Sequence, residues 1–239
     1  MTGADLTPLK RAAALRALDF VQDGMKLGLG TGSTAEAFLE VLAPRLRGGL
    51  AITAVATSER TAQKARSLGI PLVPLDQLAP LDLTVDGADE ADRSFNLIKG
   101  GGGALLREKI VAASSKRMVV VADASKLVRR LGRFPLPVEV AEFGHASTAS
   151  RIAGATASLG YPNVQIQLRL QDGAPFKSDG GNVIYDCAFA SIKNAAKLAA
   201  ALSAVPGVVE HGLFIGLATT LVIARTVDRV DLIERKADA

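Results

Sequence analysis

Four short apolar segments, each followed by a stretch of helix length, constrain this chain more than any other feature. They read "MKLGLG" (25–30), "AITAVATS" (51–58), "LDLTVDGADE" (81–90) and "RMVVVAD" (117–123). Runs this short and apolar suit strands buried on both faces, and parallel neighbours need helical crossovers between them. The predicted fold class is α/β, a doubly wound, mostly parallel, Rossmann-like sheet. Helices are expected over 7–22, with Pro8 near the start and Leu9, Ala13, Leu15 and Phe20 among the apolar positions. Others are expected over 34–46, over 58–69 with Gly69 as the closing glycine, and from about Ala104.

Near Gly132 the texture changes. "RFPLPVEV" carries two prolines, "VQIQLRL" alternates as a half-solvated antiparallel strand does, and "NVIYDCAF" follows the turn "SDGGN". With 191–204 reading as helix, residues 133–207 are expected to form a smaller inserted α+β domain. Residues 1–132 and 208–239 then form the main α/β domain, with "GLFIGLATTLVIAR" rejoining the main sheet.

Composition narrows the function classes. Apolar residues make up 49% of the 239 and aromatics 4%, which gives a sizeable aliphatic core but no stacking platform for single-stranded nucleic acid. One cysteine, Cys187, excludes an internal disulfide and a cysteine-built metal site. The two histidines, His145 and His211, are not at metal-ligand spacing. No metal is expected, and the chain is expected to be a soluble, cytoplasmic protein without a signal peptide or membrane span. A net charge of +4 is too mild to imply nucleic acid. The basic cluster Lys126, Arg129, Arg130 and Arg133 reads as a solvated face or a site for a small anion.

Three motifs sit where strands meet helices. "GLGTGST" (28–34) has Ser33 where a dinucleotide fingerprint needs glycine, and it lacks the acidic residue expected roughly 20 positions on. It is not a Walker loop either, having no G-K-[ST]. Thr31, Gly32, Ser33 and Thr34 therefore read either as a single-phosphate site at a helix N-terminus or as an N-cap in a tight turn. In "DGADE", Asp86, Gly87, Ala88 and Asp89 end the third strand, where open α/β sheets place ligands. The two carboxylates suit sugar hydroxyls, or else an Asp-Gly turn with helix-capping aspartates.

"KGGGGALLREKI" (99–110) is the third motif. Glycine loses more conformational freedom on folding than any other residue, so four in a row imply a close approach to the backbone. Lys99 supplies positive charge, Gly100, Gly101, Gly102 and Gly103 can expose amides, and Glu108 falls about one turn into the next helix. Glu108 reads as a base toward a bound sugar, or as half of a surface ion pair with Lys109 or a neighbouring helix.

Together "GLGTGST", "TSERT", "DGADE", "KGGGGALLREKI", "DASK", "PLPVEV", "SDGGNVIYDC" and "PGVVEHGLF" resemble, in order and spacing, ribose-5-phosphate isomerase, type A, from end to end. The resemblance implies interconversion of D-ribose 5-phosphate and D-ribulose 5-phosphate in the non-oxidative pentose phosphate pathway, without cofactor. It implies Glu108 as the proton acceptor, working through a cis-enediolate with Asp86, Asp89 and Lys99. It places substrate binding on Thr31–Thr34, Asp86–Asp89, Lys99–Gly102 and Lys126, with Lys10 near the phosphate. A homodimer, or else a homotetramer, is implied as well. Leu106, Ala124 and "SDGGN" depart from the family pattern, away from the residues assigned to chemistry. The competing readings are a phosphosugar deaminase or lactonase, a CoA transferase, and the ligand-sensing domain of a transcription regulator.

Overall fold

The computed structural model describes residues 5–235, so the first and last four positions of the expected main domain lie outside the described residues. The chain forms two compact units. The first takes the described residues up to Ala88, then Arg107–Leu127 and the described residues from Gly216. The second takes Asp89–Leu106 and Val128–Ile215.

The first unit is built on a six-stranded sheet in the order Val230–Glu234, Thr220–Ala224, Met118–Asp123, Leu83–Asp86, Lys26–Leu29, Thr53–Ala56. All neighbours are parallel except the Val230–Glu234 edge, which runs antiparallel. Every residue of Met118–Asp123 is buried, as expected of a central strand covered on both faces. The mostly parallel α/β sheet read from the sequence is the observed architecture.

The first helix is shorter than the expected 7–22. It runs Thr7–Ala17, and Leu18–Phe20 forms a single 3-10 turn. Its buried positions are Ala12, Ala13, Ala14 and Ala17, while Leu15 is 48% exposed. Small side chains, rather than the larger apolar ones, let this helix approach its neighbours closely. The helices Ser33–Arg47, Glu59–Ser67 and Leu105–Ala113 lie where the pattern placed them.

The second unit contains an antiparallel sheet in the order Val208–His211, Leu136–Val140, Val183–Ala188, Gln165–Leu168. Helices His145–Ser158 and Ala195–Ser203 contribute Ile152, Leu198 and Leu202 to a core with Leu136, Val138, Val140 and Tyr185. A three-stranded ribbon joins Leu213–Phe214, Leu97–Ile98 and Glu90–Ala91. "GLFIGLATTLVIAR" is thus divided, with Leu213–Phe214 in this ribbon and Thr220–Ala224 in the main sheet.

Relative to the expected 133–207, the second unit also includes residues 89–106, begins at Val128 and extends to Ile215. The buried Glu90 carboxylate is one physical reason, since it accepts the N–H groups of Gly132 (2.7 Å) and Phe134 (2.8 Å). A buried carboxylate satisfied by amides more than 40 positions away ties these segments together.

Cys187 sits in the same core, fully buried. Burial, with a smaller contribution from the Asp186 charge, pushes its thiol up to about 12. The thiolate is the reactive form, so native protein at pH 8 is expected to resist iodoacetamide, with one equivalent taken up only after unfolding. Mass spectrometry before and after denaturant checks this.

Candidate active site

In the first unit the glycine turn follows strand Lys26–Leu29 and leads into helix Ser33–Arg47. Gly32 is the N-cap, with φ +105°, and no side chain caps the helix. The first-turn amides therefore keep their outward donors, the arrangement that suits an anion. Ser33 is exposed and Thr34 half-buried at this end.

Thr31 is used differently from the sequence expectation. Its hydroxyl lies 2.8 Å from those of Thr57 and Ser58 and 3.0 Å from that of Thr61. Thr61 also donates to Gly30 O (3.0 Å) and Thr57 to Leu29 O (3.1 Å). The threonine hydroxyl is consumed in fastening the turn, and the "TSERT" residues are the fastening. Ser58 in addition caps helix Glu59–Ser67, accepting from Thr61 N at 3.1 Å. Ser58→Ala removes a helix cap and one member of this buried cluster, at a cost of about 2 kcal/mol. A thermal melt should show Tm lower by roughly 4–8 °C.

Asp86 ends its strand fully buried. Its Oδ1 accepts the N–H of Gly87 (2.7 Å) and of Thr31 (3.2 Å), which locks the glycine turn to the neighbouring strand. The helix-capping alternative does not hold, because the next regular element is the strand Glu90–Ala91. Gly30 passes so close that a Cβ there would stand 2.0 Å from Asp86 Oδ1.

Glu108 occupies the first turn of helix Leu105–Ala113 and is 3% exposed. A surface ion pair is therefore not its role. Lys126 ends the 3-10 turn Ala124–Lys126 and is half-buried. Asp123 shapes that turn by accepting from Ser125 N (2.9 Å) and Ser125 Oγ (2.5 Å). Lys10, on the first helix, is half-buried.

The second unit carries Asp89, Lys99 and the glycine run. Asp89 Oδ2 accepts the Gly101 N–H at 2.8 Å. Lys99 is 2% exposed, its N–H donates to Gly212 O (2.9 Å), and its Nζ lies 5.6 Å from the centre of the Phe214 ring. A lysine this buried is expensive to hold. Gly100 and Gly103 have φ +98° and +81°, which other residues rarely adopt. Gly101 and Gly102 between them are exposed. Arg129 and Arg130 of the basic cluster line a separate cleft of about 310 Å3 with Asp92 and Asn194.

Pattern reading missed the hydroxyls of Thr57, Ser58 and Thr61, and it missed Arg169, which donates to Gly100 O (3.0 Å) and Gly101 O (3.2 Å). The "TSERT" word was a usable signal for the first group. Among the described residues, no group of three or more His, Cys, Asp or Glu is placed to hold a metal ion, and no helix is long and apolar enough to cross a membrane.

Comparison with known proteins gives a consistent picture. The family model for ribose 5-phosphate isomerase A (phosphoriboisomerase A) matches residues 53–228. Ribose-5-phosphate isomerase A of Parvibaculum lavamentivorans is 56% identical over 225 residues, covering 94% of this chain and 97% of the relative. That of Rhodopseudomonas palustris strain HaA2 is 57% identical over 228 residues, covering 95% and 97%. Among solved structures, ribose 5-phosphate isomerase from Plasmodium falciparum superposes with TM-score 0.92 at 34% identity, covering 97% of this chain and all of that one. A D-ribose-5-phosphate isomerase in complex with phospho-erythronic acid gives TM-score 0.88 at 34% identity, covering 95% and 98%. The described geometry and these likenesses agree, and the chain belongs to the ribose 5-phosphate isomerase A family.

Proposed function

We propose that this chain interconverts D-ribose 5-phosphate and D-ribulose 5-phosphate, with Glu108 carrying a proton between C2 and C1 through a cis-enediolate. The isomerase activity follows from family membership. The observation that carries the catalytic assignment is Glu108 itself, a carboxylate withdrawn from solvent in the first helical turn after the glycine run. A base shielded from bulk water transfers the proton without competition from solvent.

The remaining roles follow from charge and donors. The outward amides of Ser33 and Thr34, together with Lys126 and Lys10, hold the phosphate, whose binding orients the reacting carbons. Thr31 and Gly32 contribute through the turn they form. Asp86 and Asp89, with the intervening Gly87 and Ala88, hold sugar hydroxyls and assist ring opening. Lys99 and the glycine run Gly100, Gly101 and Gly102 stabilise the oxygen that becomes negative, the Gly101 N–H being held by Asp89 rather than offered to the sugar. The solved relative bound to phospho-erythronic acid supports this reading, because a phosphorylated sugar acid carries carboxylate charge where an enediolate does. The chain is further proposed to act without metal or organic cofactor, in the cytoplasm, as a homodimer or else a homotetramer.

The test uses chelator-treated protein with D-ribose 5-phosphate in D2O, followed by NMR. Ribulose 5-phosphate with deuterium at C1 is the expected product. Turnover lost on chelation would overturn the cofactor-free reading. Binding without turnover would instead favour a sensor.

A further inference from the structure

The glycine run is held by more than its own turn. Gly103 N–H donates to Gly100 O at 2.9 Å, closing a β-turn over residues 100–103. Arg169, from the segment after strand Gln165–Leu168, reaches this turn with Nη1, 3.0 Å from Gly100 O and 3.2 Å from Gly101 O. The same guanidinium is fixed from behind. Its Nε and Nη2 donate to Asp186 Oδ2 (2.9 Å) and Oδ1 (2.5 Å), a two-pronged pair whose side chains are 14% and 27% exposed. Phe176 lies beneath it, with its ring centre 5.8 Å from the guanidinium carbon, and a Cβ at Gly103 would stand 2.3 Å from that ring.

Peptide geometry turns these contacts into a direction. In a trans peptide the N–H points opposite to the C=O. With Gly101 O drawn to Arg169, the N–H of Gly102 is aimed away from the guanidinium, on an exposed residue. The preceding peptide is held at both ends, its C=O by Arg169 and its N–H by Asp89 at 2.8 Å. Four glycines left to themselves would sample many orientations of these amides. An arginine suits the task where a lysine does not, because its planar fork serves a carboxylate and two carbonyls at once.

We propose that Arg169 is a positioning residue for the isomerisation, orienting the Gly101–Gly102 peptide so that the Gly102 N–H is a fixed donor to the substrate oxygen that becomes negative. This rests on the reading that the glycine run binds the sugar. A pre-aimed donor acts mainly in the transition state, so its loss appears in kcat rather than KM.

The experiment compares Arg169→Ala, Arg169→Lys and wild type for kcat, KM, Tm and rescue by methylguanidinium. Removing one such donor costs on the order of 100-fold in kcat, and Arg169→Ala is expected near that figure with KM changed less than about threefold. Added methylguanidinium should restore about tenfold of the lost rate, while Arg169→Lys should remain impaired. A purely structural fastener would lower Tm without a selective kcat loss or rescue, and that result overturns the proposal. If Arg169→Ala does not fold, Asp186→Asn is the second variant. It should lower kcat about fivefold by loosening the fork, and an unchanged kcat overturns the proposal. A wild type without turnover removes the isomerase reading and this assignment with it. An active wild type beside an unimpaired Arg169→Ala overturns this assignment alone.

Discussion

Glu108→Gln is expected to give a folded protein whose kcat on D-ribose 5-phosphate is lower by about 10²–10⁴, with little change in KM. The substitution keeps volume and polarity at a position that is 3% exposed, so packing around helix Leu105–Ala113 should survive. What it removes is the ability to take and return a proton. The groups proposed to hold the phosphate and the hydroxyls are untouched, so ground-state binding should persist. Steady-state kinetics and C2 proton exchange in D2O, measured on one preparation, separate these effects. Exchange at the wild-type rate would place the base elsewhere, with Asp86 and Asp89 the next carboxylates to replace.

Gly30→Ala should be the most damaging single change to the first unit. A methyl group there would stand 2.0 Å from Asp86 Oδ1, 2.1 Å from Asp86 Cγ and 2.6 Å from Asp86 Cα. The last contact is backbone, so no rotamer change relieves it. The two strands must separate where Gly30 N donates to Val85 O at 3.0 Å, and the Asp86 contacts to Thr31 and Gly87 go with them. A cost of about 3 kcal/mol or more is expected, with Tm lower by roughly 6–12 °C. Activity should fall at least about a hundredfold even in the folded fraction, because a misplacement near 1 Å costs that much. A melt within about 2 °C of wild type would contradict the close approach.

Much of this was legible because local pattern and tertiary role coincide. "RMVVVAD" is apolar without alternation because both its faces are covered, and "VQIQLRL" alternates because one face meets solvent. Glu108 stood out because four glycines precede it. The partners of the Thr31 hydroxyl were hidden for the opposite reason. Its partners lie 26 to 30 positions away, and no spacing rule brings Thr57, Ser58 and Thr61 to a turn after another strand. Arg169 was hidden in the same way, since a lone arginine in an alternating strand reads as a solvated side chain. Its partners are 17, 68 and 69 positions distant. The place of residues 89–106 likewise depends on long-range features, among them the Glu90 carboxylate, which reads locally as turn chemistry, and the pairing of Leu97–Ile98 with Leu213–Phe214.

The burial of Cys187 has a practical side. Oxidation to a sulfenic acid, glutathione adducts and nitrosylation all begin from an accessible thiolate, and this chain presents none from its single cysteine. Peroxide should leave turnover untouched by any thiol route. For the experimenter, a cysteine introduced beside the glycine run would be the sole reactive handle for a fluorophore or spin label, with no background residue to remove first.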